Sequence, residues 1–220
     1  MVHVEKIGQG PALVLVHGWG LNSGVWAKLQ TTLAKDFTLY CIDLPGFGYS
    51  KQRIDSDIKA WAKAVAKAIE EPAVWLGWSL GGLVATQVAL DYPQQVTGLV
   101  TVASSPRFSE SPQWPGIKPE VMAMFTNQLA TDFALTLERF LAIQAMGSDS
   151  AKLDIKALKA VLDERPLPQQ QSLHDGLLLL NDVDLRELIK NIEQPFLRLY
   201  GRLDSLVPSK VISLVDELSP

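Results

Sequence analysis

The chain has 220 residues, 47% of them hydrophobic, with 20 lysines and arginines against 24 aspartates and glutamates. That is enough apolar material to bury one sizeable domain, and a net charge of −4 supplies no basic field to hold nucleic acid. A single cysteine excludes a disulfide framework, and neither a secretory leader nor a membrane-spanning run is legible, so a cytoplasmic monomer with no nucleic-acid or membrane partner is expected.

Residues 2–7 alternate weakly and predict an edge strand, closed by the turn Gly8-Gln9-Gly10-Pro11. The continuous apolar run Ala12-Leu13-Val14-Leu15-Val16 predicts a strand covered on both faces, and it ends in His17-Gly18-Trp19-Gly20. A helix over 25–34 and a strand over 37–42 follow, and Cys41 inside that strand reads as a buried structural thiol. After the loop from Asp43 to Ser50, Ile58, Ala62, Val65 and Ile69 recur at helical spacing and predict a helix over 54–70. Ala73-Val74-Trp75-Leu76 predicts another buried strand, which runs through Gly77-Trp78-Ser79-Leu80-Gly81 into a helix over 82–90, and a further apolar run fills 96–103. This alternation implies an α/β fold with a doubly wound, mostly parallel sheet.

The rhythm changes after Ser104-Ser105-Pro106. Residues 118–181 favour helices, with Phe133, Leu137, Phe140, Leu141 and Gln144 sharing one face. A helical cap inserted at about 107–186 is therefore expected over the carboxyl edge of a core formed by 1–106 and 187–220. The sheet resumes with a strand over 195–201 and a helix over 210–218.

Chemistry centres on Gly77-Trp78-Ser79-Leu80-Gly81. A GxSxG turn between a buried strand and a helix is a nucleophile elbow, where small residues two before and two after the serine let strand and helix pass closely. A hydroxyl is a weak nucleophile at neutral pH and needs a base, an orienter for that base, and donors for the oxyanion. Backbone N–H groups of Trp19, in the loop after the first inner strand, and of Leu80 are the candidate donors. His17 suits an imidazole that braces this loop rather than the base. Asp204, after the strand ending at Tyr200-Gly201, is the candidate acid, and Asp182 and Asp184 are rivals that precede the strand. In the chain order nucleophile, acid, histidine, the base falls beyond Pro220, because His3, His17 and His174 all precede Asp204. The expectation is a C-terminally incomplete hydrolase, nearly inactive as it stands, without its last strand and helix.

Taken in order, Leu15-Val16-His17-Gly18-Trp19-Gly20-Leu21-Asn22, Asp43-Leu44-Pro45-Gly46-Phe47-Gly48, Gly77-Trp78-Ser79-Leu80-Gly81-Gly82-Leu83-Val84-Ala85, Ala103-Ser104-Ser105-Pro106, Trp114-Pro115-Gly116-Ile117-Lys118-Pro119 and Glu138-Arg139-Phe140-Leu141-Ala142-Ile143-Gln144 resemble the α/β-hydrolase superfamily. Within it they are similar to the methyl ester esterases that act on pimeloyl-acyl carrier protein in biotin synthesis. The resemblance implies a cofactor-free and metal-free serine carboxylesterase with Ser79 as nucleophile and Asp204 as acid. It implies Trp19 and Leu80 as oxyanion and substrate contacts, and Phe140, Leu141, Ala142, Ile143 and Gln144 as a segment touching the acyl chain. The family's histidine has no counterpart here.

An acidic acyl carrier protein as partner calls for cations on the cap. Lys152, Lys156 and Lys159 share one helical face, with Arg139 elsewhere in the insertion, and this stripe reads either as a docking site or as an ordinary solvated face. The Phe140 to Gln144 stripe is open in the same way between lining and core, with Gln144 the member expected to face the cleft. Two other functions stay in play: a general short-chain esterase or other hydrolase of this fold, and a catalytically inactive fragment that binds acyl carriers or ligands.

Overall fold

The computed structural model describes residues 1–144 and 150–219, and the side chains of Phe133 and Gln144 lie outside the described set. In chain order the elements are β1 (His3–Gly8), β2 (Ala12–Val16), α1 (Ala27–Leu33), β3 (Thr38–Asp43), α2 (Ile58–Ala66), β4 (Ala73–Trp78), α3 (Leu80–Asp91), β5 (Val96–Val102), α4 (Pro119–Thr131), α5 (Phe133–Gln144), α6 (Ala151–Asp163), α7 (Gln170–Asp182), β6 (Phe196–Leu199) and α8 (Val211–Leu218). The sheet order is β1-β3-β2-β4-β5-β6; only β1 runs antiparallel to its neighbour.

Continuous apolar strands follow from cover on both faces. Val14, Val16, Tyr40 and Ile42 point into the large core with Trp61, Val65, Leu83 and Val84 from α2 and α3, while Leu13, Leu15, Leu39 and Cys41 pack with Trp26 on the other side. Cys41 is buried there, its Sγ accepting from Gln30 Nε2 at 3.2 Å, and burial pushes its thiol above the usual range.

The helix expected over 54–70 begins later than its apolar spacing suggests. Asp57 caps it by accepting from Lys59 N–H at 2.9 Å, and Trp61 Nε1 donates to the carbonyls of Ile54 and Asp55, holding 54–57 in an extended loop outside the helix.

The helices α4 to α7 lie between β5 and β6 in sequence. Their polar ties to the core gather at the α6–α7 end. The carboxylate of Asp175, 4% exposed, receives Arg53 Nε at 2.7 Å and Nη2 at 3.2 Å. Arg165 donates to Ser23 Oγ and Glu5 Oε2, and Gln169 N–H donates to the Gly46 carbonyl. By contrast α5 meets the core through apolar contacts, Phe140 against Trp19 at 4.7 Å between ring centroids and Phe125 of α4 at 5.7 Å.

One face of the sheet is thinly covered. Leu76, Val100 and Leu197 align across β4, β5 and β6, as do Trp78, Val102 and Leu199. The β6 members stand open, Leu197 at 54% and Leu199 at 45% exposure, on a strand whose far edge pairs with no described strand. An apolar edge strand of this kind invites pairing between chains, and lysine blunts such edges. The double variant Leu197→Lys plus Leu199→Lys should reduce concentration-dependent light scattering on heating while shifting the urea-unfolding free energy by no more than about 1 kcal/mol.

Candidate active site

The last residues of β4 and the first turn of α3 meet with almost no room between them. A Cβ on Gly77 would lie 2.3 Å from the Gly81 carbonyl oxygen, and one on Gly81 would lie 2.3 Å from that of Val16 at the end of β2. Between these glycines Ser79 sits at φ 54° and ψ −118°. Those torsions belong to the first central position of a type II′ turn, where glycine is preferred, so a serine there carries strain of about 1–3 kcal/mol. Four hydrogen bonds hold it. Ser79 N–H donates to Val102 O at 2.9 Å, and its carbonyl accepts from Gly82 N, Leu83 N and Ser104 Oγ, the last at 2.8 Å. The side chain is 5% exposed, and no described side chain hydrogen-bonds its hydroxyl.

The loop leaving β2 lies against this turn. A Cβ on Gly18 would sit 3.4 Å from both Ser79 Cβ and the Trp78 carbonyl, so the loop passes beside the serine at Gly18. Neither Trp19 N–H nor Leu80 N–H donates to an acceptor among the described residues. The Leu80 amide, at the N-terminus of α3 next to Ser79, and the Trp19 amide, next in the chain to Gly18, are thus both open to an acceptor. The Trp19 side chain is fully buried, its Nε1 donating to the Leu173 carbonyl of α7 at 2.8 Å. Gly176, one turn further along α7, is where Trp19 and the Leu80 side chain come within 2.8 and 3.3 Å of a Cβ position.

His17 does not face the serine. Its Nε2 accepts from Leu44 N–H at 3.0 Å, which fixes the proton on Nδ1, and Nδ1 donates to the Gly18 carbonyl at 2.8 Å. Its ring packs on Phe47, and burial pushes its pKa below the usual histidine range. The neutral imidazole therefore ties the 17–20 loop to the 43–50 loop. That second loop is itself folded around Asp43, which accepts from Ser23 N–H at 2.6 Å and Tyr49 N–H at 2.9 Å.

Asp204 follows β6 at the carboxyl end of the sheet. Its Oδ1 accepts from Leu206 N–H at 2.8 Å and Val207 N–H at 3.0 Å, while Oδ2 has no described partner. The rivals are otherwise engaged. Asp184 is paired with Arg186 and Arg107, and hydrogen bonding to Arg186 holds its carboxyl below the usual range; Asp182 accepts from Asn181. No described hydrogen bond joins Asp204 or any histidine to Ser79. His3 stacks near Tyr49, and His174 lies on α7 beside Gln171.

On α5, Phe140 and Leu141 are buried, Ile143 is half-buried and Ala142 is exposed, whereas the Gln144 side chain lies outside the described residues. Lys152 and Lys156 are exposed on α6, Lys159 pairs with Glu138 at 2.6 Å, and Arg139 donates to Gln128 at 2.9 Å. Among the described residues no cluster could hold a metal ion, and no helix is long and apolar enough to cross a membrane. Sequence reasoning missed Ser104 as a brace of the elbow, although the quoted Ala-Ser-Ser-Pro segment contains it, and missed α7 as the wall over Trp19.

Two outcomes follow from this packing. Gly77→Ala, with its methyl driven into the Gly81 carbonyl, should lower the urea-unfolding free energy by about 3 kcal/mol or more. For His17, the unfolded chain binds a proton below about pH 6.5 whereas the folded imidazole resists it, so stability is full above that value and falls as pH drops toward the depressed folded pKa. Urea unfolding at pH 7.5 and 5.5 should show a loss of up to about 1.4 kcal/mol per pH unit that is missing in His17→Asn.

The chain matches the family model for the alpha/beta hydrolase fold over residues 11–220. It is 51% identical over 219 residues to the pimeloyl-acyl-carrier protein methyl ester esterase of Vibrio parahaemolyticus, covering 100% of this chain and 86% of that protein. Identity to the enzyme of the same name from Klebsiella pneumoniae is 52% over 217 residues, 98% of this chain and 84% of the relative. Among solved structures it superposes on an esterase from Exiguobacterium antarcticum with a TM-score of 0.89 at 21% identity, covering 99% of this chain and 83% of that one. The bromoperoxidase from Bacillus anthracis gives 0.88 at 19% identity, with 100% and 84% covered, and both likenesses concern the fold. The strained serine turn between β4 and α3, the family match over residues 11–220 and the likenesses that run over nearly all of this chain together place it in the α/β-hydrolase family, alongside the pimeloyl-acyl-carrier protein methyl ester esterases.

Proposed function

We propose that the chain carries the nucleophilic half of a cofactor-free serine carboxylesterase that cleaves the methyl ester of pimeloyl-acyl carrier protein, in the cytoplasm and as a monomer. The observation that carries this reading is Ser79 at its strained turn, with the Leu80 amide next to it and the Trp19 amide next in the chain to Gly18 both unengaged. Ser79 Oγ attacks the ester carbonyl, and its proton passes to a base. The tetrahedral oxyanion is held by the two amides; methanol leaves with the proton, and water then releases the acid from the acyl-serine. Asp204, with Oδ2 open, is the proposed orienter of the base. Both nitrogens of His17 are committed to Leu44 and Gly18, so a histidine outside these 220 residues is the proposed base.

The helices over Trp19 are the proposed acyl-chain cap, with Phe140, Leu141, Ala142, Ile143 and Gln144 as the contact segment. Exposed Lys152 and Lys156 are the cations offered to the acidic carrier, since Lys159 and Arg139 already have partners in the insertion.

A fluorophosphonate probe should label this chain slowly at one site, and Ser79→Ala should remove the label. Adding a downstream segment that supplies the histidine should raise ester turnover by about a thousand-fold or more, and equal rates with and without it would sink the assignment of the base. In the extended enzyme, Lys152→Glu plus Lys156→Glu should weaken use of the carrier-bound ester about tenfold and leave cleavage of a small free ester unchanged. Parallel loss of both activities would count against carrier docking.

A further inference from the structure

A groove of about 680 Å³ lies between the start of the chain, the loop before α2, and α2 itself, and it shares no lining residue with the surroundings of Ser79. Its floor is apolar: Val2, Val4 and Ile54 pack against the main core from below. Along one wall Ala60, Ala64 and Ala68 recur every four residues on one face of α2 and its C-terminal continuation. Larger side chains at these positions would fill the space, and alanine leaves it open.

The rim is cationic. Lys63 and Lys67 stand one helical turn apart, and neither has an ion-pair partner among the described residues. Glu70 is the single acidic residue of the lining. An apolar slot with an excess of cations at its mouth selects a ligand with an apolar body and an anionic end. Size decides between ligands of that kind. The groove falls inside the roughly 300–1,000 Å³ range of small-molecule sites.

We propose that this groove binds an unbranched medium-chain fatty carboxylate, its tail along Val2, Val4, Ile54 and the three alanines and its carboxylate between Lys63 and Lys67. The site is independent of the chemistry at Ser79.

Calorimetric titration of submicellar decanoate into the 220-residue protein and into its Ser79→Ala variant should give one saturable site of equal affinity in both. Octanoate, which buries two fewer methylenes, should bind about tenfold more weakly. Lys63→Glu plus Lys67→Glu should cost about tenfold in affinity. Ala64→Trp fills the groove and should abolish binding with the thermal transition intact; should that variant melt early, Ala60→Leu repeats the test one turn away. Absence of a saturable site, equal binding of octanoate and decanoate, a site that folded groove-filling variants leave intact, or displacement of decanoate by a covalent probe on Ser79 would each overturn the proposal.

Discussion

Everything around the serine depends on one close approach, the contact of the Gly77 and Gly81 backbones with their neighbours. Gly77 lets the start of α3 cross the end of β4, and Gly81 lets that same turn touch the carbonyls of Val16 and His17 at the end of β2. Two adjacent strands and one helix are locked at a single point. The 17–20 loop and the first turn of α3, which come from different elements, are thereby brought together next to Ser79. Because β5 is the next strand in the sheet, Val102 and Ser104 close the turn from the other flank. No side chain longer than hydrogen is compatible with this arrangement, so the site is fixed by backbone sterics before any catalytic group is considered.

The strands and the elbow were legible because their causes are local. Continuous apolar runs report burial on two faces, and a GxSxG segment between strand and helix carries its own steric logic. The strand before Asp204 was legible as a mostly apolar run, and the role proposed for Asp204 is read from chain order. Less visible were interactions that join distant segments. The pairing of Arg53 with Asp175 spans 122 residues, and neither residue stands in a pattern that announces it. The start of α2 was misread because Ile54 continues the helical spacing, while Asp57 and Trp61 settle the boundary through hydrogen bonds that periodicity does not encode. Trp19 illustrates the mixture: its backbone position follows from the strand end, but its side chain, buried under α7 and against Phe140, follows from tertiary packing alone.

The helical insertion is attached asymmetrically. At the α6–α7 end the ties are charged and directional, with Asp175, Arg165 and Gln169 each bound to loops of the core. At the α5 end the contact is aromatic and aliphatic, Phe140 on Trp19 and Leu137 over Gly20. Directional bonds fix position, whereas apolar contacts tolerate sliding at small cost. The 17–20 loop meets both ends of the insertion, through the hydrogen bond from Trp19 Nε1 to the Leu173 carbonyl of α7 and through the ring contact of Trp19 with Phe140 of α5.

The torsions of Ser79 place a side chain where the backbone favours glycine. Glycine at that position would release about 1–3 kcal/mol of strain and give back about 0.5–1 kcal/mol through the freer unfolded chain. The balance favours the residue that cannot react. A screen for thermal tolerance alone would therefore pull this position away from serine, so the backbone at residue 79 is a place where stability and a side-chain hydroxyl compete.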